Sequence, residues 1–166
     1  MSPPITTRAV AAADLPEITR LNARAFGPGR FARSAYRVRE GTAPVSPYCR
    51  VALLGHRLVA AVRMTEARVG ATGGALLLGP LAVDPDFANQ GLGRRLVGEA
   101  IEAARAGGIR LVLLVGDVPY YGRFGFAPVP RGQITFPGPV DPARILALEL
   151  APGALADYRG LVAAER

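Results

Sequence analysis

The sequence predicts one α/β domain over residues 1–166, and three observations lead to that prediction. A chain of 166 residues is long enough to bury a hydrophobic core of its own. Half of the residues are hydrophobic and 20% are charged, which is the composition of a globular domain. Segments with helical periodicity alternate with short apolar segments typical of buried strands. No repeat, low-complexity tract or linker divides the chain.

The first part of the chain predicts a strand, a helix and a less regular segment. TTRAVAAADLPEITRLNARAFG begins as a strand and continues as a helix, with Asp14 as its N-cap and Pro16 in its first turn. Gly27 is expected to end this helix. Residues 28–47 are polar and rich in arginine, and they favour a short helix near 31–40 followed by a loop.

The middle of the chain predicts three strands. YCRVALLGHRLVAAVRMTEARV contains two of them, joined at Gly55 and His56. The apolar run GALLLGPLAV predicts the third. Its Gly79-Pro80 pair indicates a bulge or a local loss of pairing, because proline cannot donate to a strand ladder.

Helix and strand alternate again in the second half. Leucine and alanine residues recur at helical spacing from Leu92 to Ala104, and Gly107-Gly108 is expected to end this helix. IRLVLLVG predicts a buried strand, VPYYGRFGF a short helix or turn, and GQITFPG and ARILALEL two further strands. The predicted order is β-α-(α)-β-β-β-α-β-α-β-β.

The turn ANQGLG, residues 88–93, predicts an anion site at the start of the long second helix. A helix N-terminus offers unpaired N–H groups and the positive end of the helix dipole. Gly91 and Gly93 lack the Cβ atoms that would hold a phosphate away from those groups, and Arg94 and Arg95 add positive charge. This combination favours a pyrophosphate, although a glycine turn without any ligand is the alternative.

Two other phosphate-binding motifs do not fit this turn. A dinucleotide fingerprint needs a third glycine, but Leu96 stands at that position and IRLVLLVG carries no acidic residue. A P-loop needs Gly-Lys-Ser/Thr, which is absent from the sequence.

Composition and charge narrow the classes of function. The longest apolar runs are too short to cross a bilayer, and the first residues do not resemble a signal peptide. A single cysteine, Cys49, allows neither an internal disulfide nor a zinc cluster of thiols. Cys49 as a nucleophile is disfavoured because His56, its one available base, falls in a predicted turn. We therefore expect a cytoplasmic protein with no membrane partner and no metal.

The formal charge of +7 comes with 20 basic residues that are all arginine. Such a charge favours anionic ligands, although a genome biased toward arginine and alanine codons is the simpler explanation. Nucleic acid is the alternative partner, but the arginines form no cluster longer than two, and zinc-finger spacing and RNA-binding aromatic signatures are absent. A small polyphosphate ligand needs fewer assumptions, so we expect no nucleic-acid partner.

Two motifs together resemble the GNAT family of acetyl-CoA-dependent N-acetyltransferases. ANQGLG matches the family's Arg/Gln-x-x-Gly-x-Gly/Ala motif, and about thirty residues later YYGRFGF matches its aromatic-Tyr-x-x-x-Gly-Phe helix. The resemblance extends from Arg8 to about Leu150 and is nearest to a small bacterial single-domain branch. It implies a mixed, mostly antiparallel sheet of about six to seven strands, flanked by helices and splayed between the fourth and fifth strands.

The resemblance also implies acetyl-CoA as the cosubstrate. Its pantetheine arm would lie against the backbone near Leu81, Ala82 and Val83, and its pyrophosphate would lie over the glycine turn. The implied cofactor-binding residues of that turn are Ala88, Asn89, Gln90, Gly91, Leu92, Gly93 and Arg94. The family usually has Arg or Gln where this chain has Ala88. Because the family binds pyrophosphate largely through backbone N–H groups, we expect a weaker site and not a lost one.

The family mechanism implied here is direct attack of a primary amine on the thioester in a ternary complex. Tyr121 aligns with the family's general acid, and Tyr120 takes an aromatic packing position. No carboxylate lies in GALLLGPLAV, so Glu66 on the preceding strand is the candidate base, with water or an already neutral amine as alternatives. A non-catalytic acyl-CoA sensor or partner module of the same fold is the alternative function.

The acceptor is expected to be a small-molecule or peptide amine. The sequence leaves the oligomeric state open, with a homodimer as one alternative because dimers are common among GNAT proteins. Residues 28–47 should form part of the acceptor wall, since the family varies most there. The side chains proposed for that wall are Arg30, Phe31, Arg33, Tyr36 and Arg39. An arginine-lined wall would suit an acceptor that bears a carboxylate or a phosphate.

Overall fold

The computed structural model describes residues 4–26 and 38–165. The strands within these residues are β1 (Ile5–Ala9), β2 (Arg50–Leu54), β3 (Arg57–Val69), β4 (Thr72–Val83), β5 (Leu111–Val115), β6 (Ala127–Pro128), β7 (Ile134–Thr135), β8 (Ile145–Glu149) and β9 (Gly160–Ala164). The α-helices that lie wholly within them are α1 (Leu15–Phe26), α2 (Leu92–Ala106) and α3 (Val118–Tyr121). Single turns of 3₁₀-helix occur at Ala12–Asp14, Pro85–Phe87, Gly122–Phe124, Pro142–Arg144 and Ala154–Asp157.

The strands form one mixed sheet in the order β1-β2-β3-β4-β5-β8-β6. Neighbours along this order pair antiparallel, except for the parallel pair β4 and β5. β9 pairs antiparallel with the C-terminal end of β3, and β7 pairs parallel with β9. The predicted mixed, mostly antiparallel sheet flanked by helices is confirmed.

β4 and β5 separate after a short paired stretch. Their register covers only Ala75 to Leu77 of β4 against Leu111 to Leu113 of β5. β4 then continues to Val83, paired with β3 alone among the described strands. The splay between the fourth and fifth strands is therefore confirmed.

The predicted bulge at Gly79-Pro80 is also confirmed. Val62 of β3 lies opposite Leu81, whereas Met64, two residues later, lies opposite Leu78. β4 thus advances three residues while β3 advances two, which leaves one extra residue in β4. Bulges redirect a strand, and this one lies where β4 leaves β5.

Helix α2 packs its apolar face on the sheet. Leu96, Val97, Ala100 and Ala104 are fully buried in a cluster with residues of β2, β3, β4 and β5. Burying one such leucine stabilises the fold by about 1.5–3 kcal/mol, so the helix N-terminus is held firmly in place. The cluster anchors the glycine turn, which follows β4 and the 3₁₀ turn Pro85–Phe87 and leads directly into α2.

Some local predictions differ from the structure. α1 begins directly after Asp14, but the Asp14 carboxylate accepts from Ala11 N at 2.8 Å and pairs with Arg8 instead of capping α1. The reason is the 3₁₀ turn before α1, which directs this carboxylate backward along the chain. The short strands β6 and β9 were not predicted. The helix stop at Gly27 and most of the helix predicted for 31–40 lie outside the described residues.

Candidate active site

A cavity of about 690 Å³ opens where β4 and β5 separate. It is bordered by α1, the segment before β2, the middle of β3, the bulge of β4, the end of β5 and the segment before β8. The described residues that carry polar or reactive side chains into its wall include Arg39, Cys49, Arg63, Asp117, Tyr121, Asp141 and Arg144. Elements far apart in the sequence therefore meet around this split.

The glycine turn sits at the end of β4, where its backbone is open. Gly91 is the N-cap of α2 and has a φ of 78°, a left-handed conformation that L side chains rarely adopt. A Cβ at Gly91 would meet no atom within 4 Å, and no side chain caps the helix here. The first N–H groups of α2 have no partner within the helix, so they are available to an anion.

At residue 93 the absence of a side chain allows close packing of a neighbouring ring. It is buried in the first turn of α2, and a Cβ there would lie 2.5 Å from Tyr120 Oη and 3.4 Å from Leu81 Cδ2. The missing side chain lets Tyr120 pack directly on the helix, with the guanidinium of Arg123 5.0 Å from the centre of its ring. Burial raises the pKa of Tyr120, and the charges of Arg123 and Arg94 oppose that rise. Tyr120 does not line the cavity, which agrees with its expected packing position.

The residues expected to bind the cofactor form one continuous path. Leu81 lines the cavity, and Ala82 and Val83 continue β4 beyond its last pair with β5. From Ala88 to Gly91 the turn is exposed, Leu92 and Gly93 are buried, and Arg94 is exposed. Their place in the structure is compatible with the expected roles, which stay predictions.

A buried carboxylate anchors the segment that leads into the turn. The side chain of Asp84 is 2% exposed, and it accepts hydrogen bonds from Arg24 Nη1 at 2.8 Å, Arg57 Nη2 at 3.0 Å and Asp86 N at 3.0 Å. Burial opposes its ionisation, but the hydrogen bonds from Asp86, Arg57 and Arg24 outweigh that effect and leave the pKa of Asp84 below its ordinary value. Sequence reasoning missed this residue. The signal available was an Asp directly before proline, a common start for a capped turn.

Tyr121 lies at the end of α3 with its ring in the cavity wall. A Cβ at Gly116 would lie 2.7 Å from Tyr121 Cε2, so the glycine after β5 makes room for this ring. Edge contacts with Tyr120 and Phe126, at ring-centre distances of 4.8 and 5.9 Å, fix its orientation. Within the described residues its hydroxyl has no hydrogen-bond partner.

The phenol of Tyr121 is held in its protonated form. Burial, together with the nearby Tyr120 and Asp117, raises the pKa of Tyr121 to about 12, against a smaller opposing effect of Arg144. A phenol in this state can donate a proton to a group in the cavity over the whole physiological pH range.

Glu66, the candidate base, is not brought to this site. It is exposed on β3 opposite Leu76 of β4, at a level where β4 is still paired with β5. Glu66 does not line the cavity. The expectation that Glu66 lies in the site is corrected by its position along β3, because β4 and β5 separate only beyond Leu77. The described carboxylates of the cavity wall are instead Asp117 and Asp141.

His56 and Cys49 do not supply a nucleophile and base pair. His56 is exposed in the turn between β2 and β3. Cys49 is 2% exposed, accepts from Met64 N at 3.4 Å and contacts Ser46 Oγ at 3.4 Å. The thiol thus ties the start of β2 to β3.

Among residues 4–26 and 38–165, no group of three or more His, Cys, Asp or Glu side chains is arranged to hold a metal ion. No helix in the same part of the chain combines the length and the apolarity needed to span a bilayer.

Comparisons with known proteins agree with the motifs and the fold. The sequence model of the acetyltransferase (GNAT) family matches residues 15–126. The chain is 40% identical over 63 residues to the uncharacterized N-acetyltransferase YjhQ of Escherichia coli K12, a match that covers 38% of this chain and 34% of that protein. It is 34% identical over 85 residues to the uncharacterized N-acetyltransferase YhbS of the same strain, and this match covers 51% of each chain. The matches thus span about a third to a half of these relatives' lengths.

Solved structures extend the likeness to nearly the whole chain. The GNAT family N-acetyltransferase YhbS from Escherichia coli, in complex with CoA, has a TM-score of 0.81 at 26% identity and covers 99% of this chain and 92% of that one. A GNAT family acetyltransferase from Brucella melitensis, in complex with acetyl-CoA, has a TM-score of 0.74 at 22% identity and covers 98% and 96%. The second likeness concerns the fold alone.

Proposed function

Because the chain belongs to the acetyltransferase (GNAT) family, we propose that residues 1–166 form one domain that transfers an acetyl group from acetyl-CoA to a primary amine. One observation carries the proposal. Of the two strands that separate at the split, β4 leads to the open N-terminus of α2, and β5 leads to Tyr121 in the cavity wall. The relatives crystallised with CoA and acetyl-CoA support the choice of cosubstrate.

The residues present fit acetyl-CoA. Leu81 to Val83 offer the backbone of β4 beyond its pairing with β5, where the pantetheine arm can form ladder-like hydrogen bonds. The turn from Asn89 to Arg94 offers open N–H groups, the positive end of the α2 dipole and an exposed guanidinium for the pyrophosphate. Acetyl-CoA supplies the acetyl group as an activated thioester.

The acceptor amine attacks the thioester carbonyl, so that the C–N bond forms as the C–S bond breaks. Tyr121 donates its phenolic proton to the departing thiolate, because Tyr121 lines the cavity and its pKa of about 12 keeps the phenol protonated at physiological pH. The amine gives up its own proton to water or to one of the two cavity carboxylates, Asp117 and Asp141, which replace Glu66 as candidates.

A non-catalytic acyl-CoA sensor is the second candidate, and Ala88 is the observation that favours it. This residue is exposed at the first position of the pyrophosphate motif, where the family usually places an Arg or Gln side chain. A sensor would bind CoA without consuming its thioester. A homodimer and the lack of a nucleic-acid partner stay predictions.

The experiment incubates the protein with acetyl-CoA and a panel of primary amines, and follows both free thiol and the mass of the acetylated amine. We expect thiol release that depends on the amine, with a product heavier by one acetyl group. Thermal stabilisation by CoA with no thiol release from any amine would support the sensor instead.

A further inference from the structure

Resting on the proposed function, we propose that the acceptor amine also carries an oxyanion, a carboxylate or a phosphate, which binds Arg39 and Arg63. The amine end of the same molecule lies on the opposite wall of the cavity, beside Tyr121. The acceptor is therefore a small amino acid or an aminoalkyl phosphate and not an uncharged amine.

Arg39 is placed at the bulge of β4. Its side chain is buried, with the residue 8% exposed, and it lines the cavity. A Cβ at Gly79 would lie 2.9 Å from Arg39 Nη2, so the guanidinium occupies the space that a side chain on the bulge would fill. The absence of a side chain at residue 79 thus brings a cation to the split itself.

Arg63 joins Arg39 on the same wall. It lies on β3, lines the cavity and donates from Nη2 to Thr42 Oγ1 at 2.8 Å. Thr42 Oγ1 in turn donates to the backbone carbonyl of Arg39 at 2.6 Å. These hydrogen bonds tie the Arg63 guanidinium to the backbone of Arg39. A guanidinium is planar, and its donor geometry matches a carboxylate or a phosphate.

The opposite wall has a different charge. Asp117 follows β5, and Asp141 and Arg144 precede β8. Arg144 Nε is 3.2 Å from Asp117 Oδ1, so this arginine is paired with a carboxylate of its own wall. Since the sheet order is β3-β4-β5-β8, the two walls lie on opposite sides of the split. Among the described residues of the cavity wall, Arg39 and Arg63 thus lie on the β3 side, and the carboxylates Asp117 and Asp141 lie across the split from them.

Arg39 and Tyr121 line the same cavity from opposite sides of the split between β4 and β5. Arg39 packs at Gly79 and the Tyr121 ring packs at Gly116. An acceptor whose anion is held at Arg39 thus directs its amine across the split toward the phenol. The amine end, when protonated, is attracted to Asp117 and Asp141 before it loses its proton.

The first test compares matched pairs of amines by their kcat/KM with acetyl-CoA. Each of a series of α- and ω-amino acids is paired with its carboxamide, and each aminoalkyl phosphate with its amino alcohol. We expect the anionic member to be favoured by at least about tenfold in one of the two series, and the favoured series identifies the oxyanion as carboxylate or phosphate. Equal or better turnover of the uncharged members overturns the inference while leaving acetyl transfer intact.

The second test uses Arg63→Gln and Arg39→Gln with the best anionic amine and its uncharged partner. We expect KM for the anionic amine to rise at least about tenfold with little change for the uncharged one, and Arg63→Lys to restore part of the loss. Arg68→Gln is the matched control, because Arg68 is on the same strand but outside the cavity wall. An equal fall in kcat for both amines would mean that the arginines act on the thioester or on the fold, and would refute the inference.

Arg39 is the more buried of the two arginines, so Arg39→Gln is the variant at greater risk of not folding. In that case the Arg63 variants alone provide the test. Stabilisation by CoA is measured for every variant and is expected to match that of the wild type. If CoA binds normally and no amine releases thiol, the proposed transferase activity itself fails, and the inference fails with it.

Discussion

The two sides of the proposed site are built in different ways. The cofactor side is a single stretch, Leu81 to Arg94, in which backbone N–H groups and the lack of side chains at two glycines would form the proposed anion site. The acceptor side is assembled from the side chains of several separate segments, among them those that carry Arg39, Arg63 and Asp117. A backbone site depends on the shape of one turn, whereas a side-chain site depends on how distant strands pack.

This difference leads to opposite expectations for mutation. On the cofactor side, most side chains can change without loss, and adding one where none is present should be severe. On the acceptor side, removing a single functional group should change the rate or the specificity while the fold remains. Four changes test this contrast.

The largest effect is expected for Gly91→Glu on the cofactor side. The new carboxylate would stand beside the N–H groups that hold the pyrophosphate, and the repulsion should weaken CoA binding by on the order of 100-fold. The rise in Tm on adding CoA should then disappear. Gly108→Glu is the matched control, because Gly108 has a φ of 79° and equally open surroundings at the other end of α2. An unchanged shift in Gly91→Glu would show that the anion site lies elsewhere.

Tyr121→Phe should give the next largest effect, on the acceptor side. The substitution keeps the ring contacts with Gly116 and Phe126 but removes the proton donor. We expect kcat to fall by about 10²–10⁴-fold, with little change in CoA affinity, because a general acid acts as charge develops on sulfur. Tyr120→Phe serves as the control and should be nearly silent, since Tyr120 lies outside the cavity wall. Wild-type turnover by Tyr121→Phe would mean that water or the substrate supplies the proton.

Asp84→Asn should lower the stability of the fold, because Asp84 anchors the segment that leads into the glycine turn. Loss of the charged hydrogen bonds to Arg24 and Arg57 should decrease the free energy of unfolding by about 1.5–3 kcal/mol, measured by urea denaturation at pH 7. Asp86→Asn is the control, because Asp86 contacts the same arginines but its side chain is 68% exposed, and it should cost less than about 0.5–1 kcal/mol.

The sign of the pH dependence follows from the lowered pKa of Asp84. Its contribution is fully present above the unfolded pKa of about 3.9 and is lost as the pH falls through the folded value. The difference between wild type and Asp84→Asn should therefore shrink below about pH 4. A difference that stays constant down to pH 2 would contradict this account.

The smallest effect is expected from raising the pH on the wild-type enzyme. Because the pKa of Tyr121 is raised to about 12, its proton is lost only as the pH rises through that value. With a saturating amine, ionisation of Tyr121 should lower kcat by less than about a tenth between pH 8 and pH 10, whereas a tyrosine with an ordinary pKa of about 10 would be half ionised at pH 10 and would lose about half of the rate. A fall in kcat centred near pH 10, with the fold intact by circular dichroism, would show that the phenol is not held protonated.

Local features were readable from the sequence because they depend on neighbouring residues. Helical spacing predicted α2, proline chemistry predicted the bulge at Gly79-Pro80, and glycines after an apolar strand predicted the open turn at Gly91. The same reasoning could not locate β9, because a five-residue strand that pairs with β3 across more than ninety residues has no signal of its own. Glu66 was misplaced for a related reason, since only the register of β4 against β5 shows where the split begins.

The sequence by itself determined the family motifs and the glycine turn, both of which consist of contiguous residues, and the resemblance to the GNAT family implied the mixed sheet. Only the tertiary structure decided which side chains share the cavity. Asp117 and Asp141 replace Glu66 there, Arg39 fills the space beside Gly79, and Asp84 becomes the buried anchor of the turn. The physical reason is that side-chain proximity depends on strand order and register, which are set by packing between segments far apart in the chain.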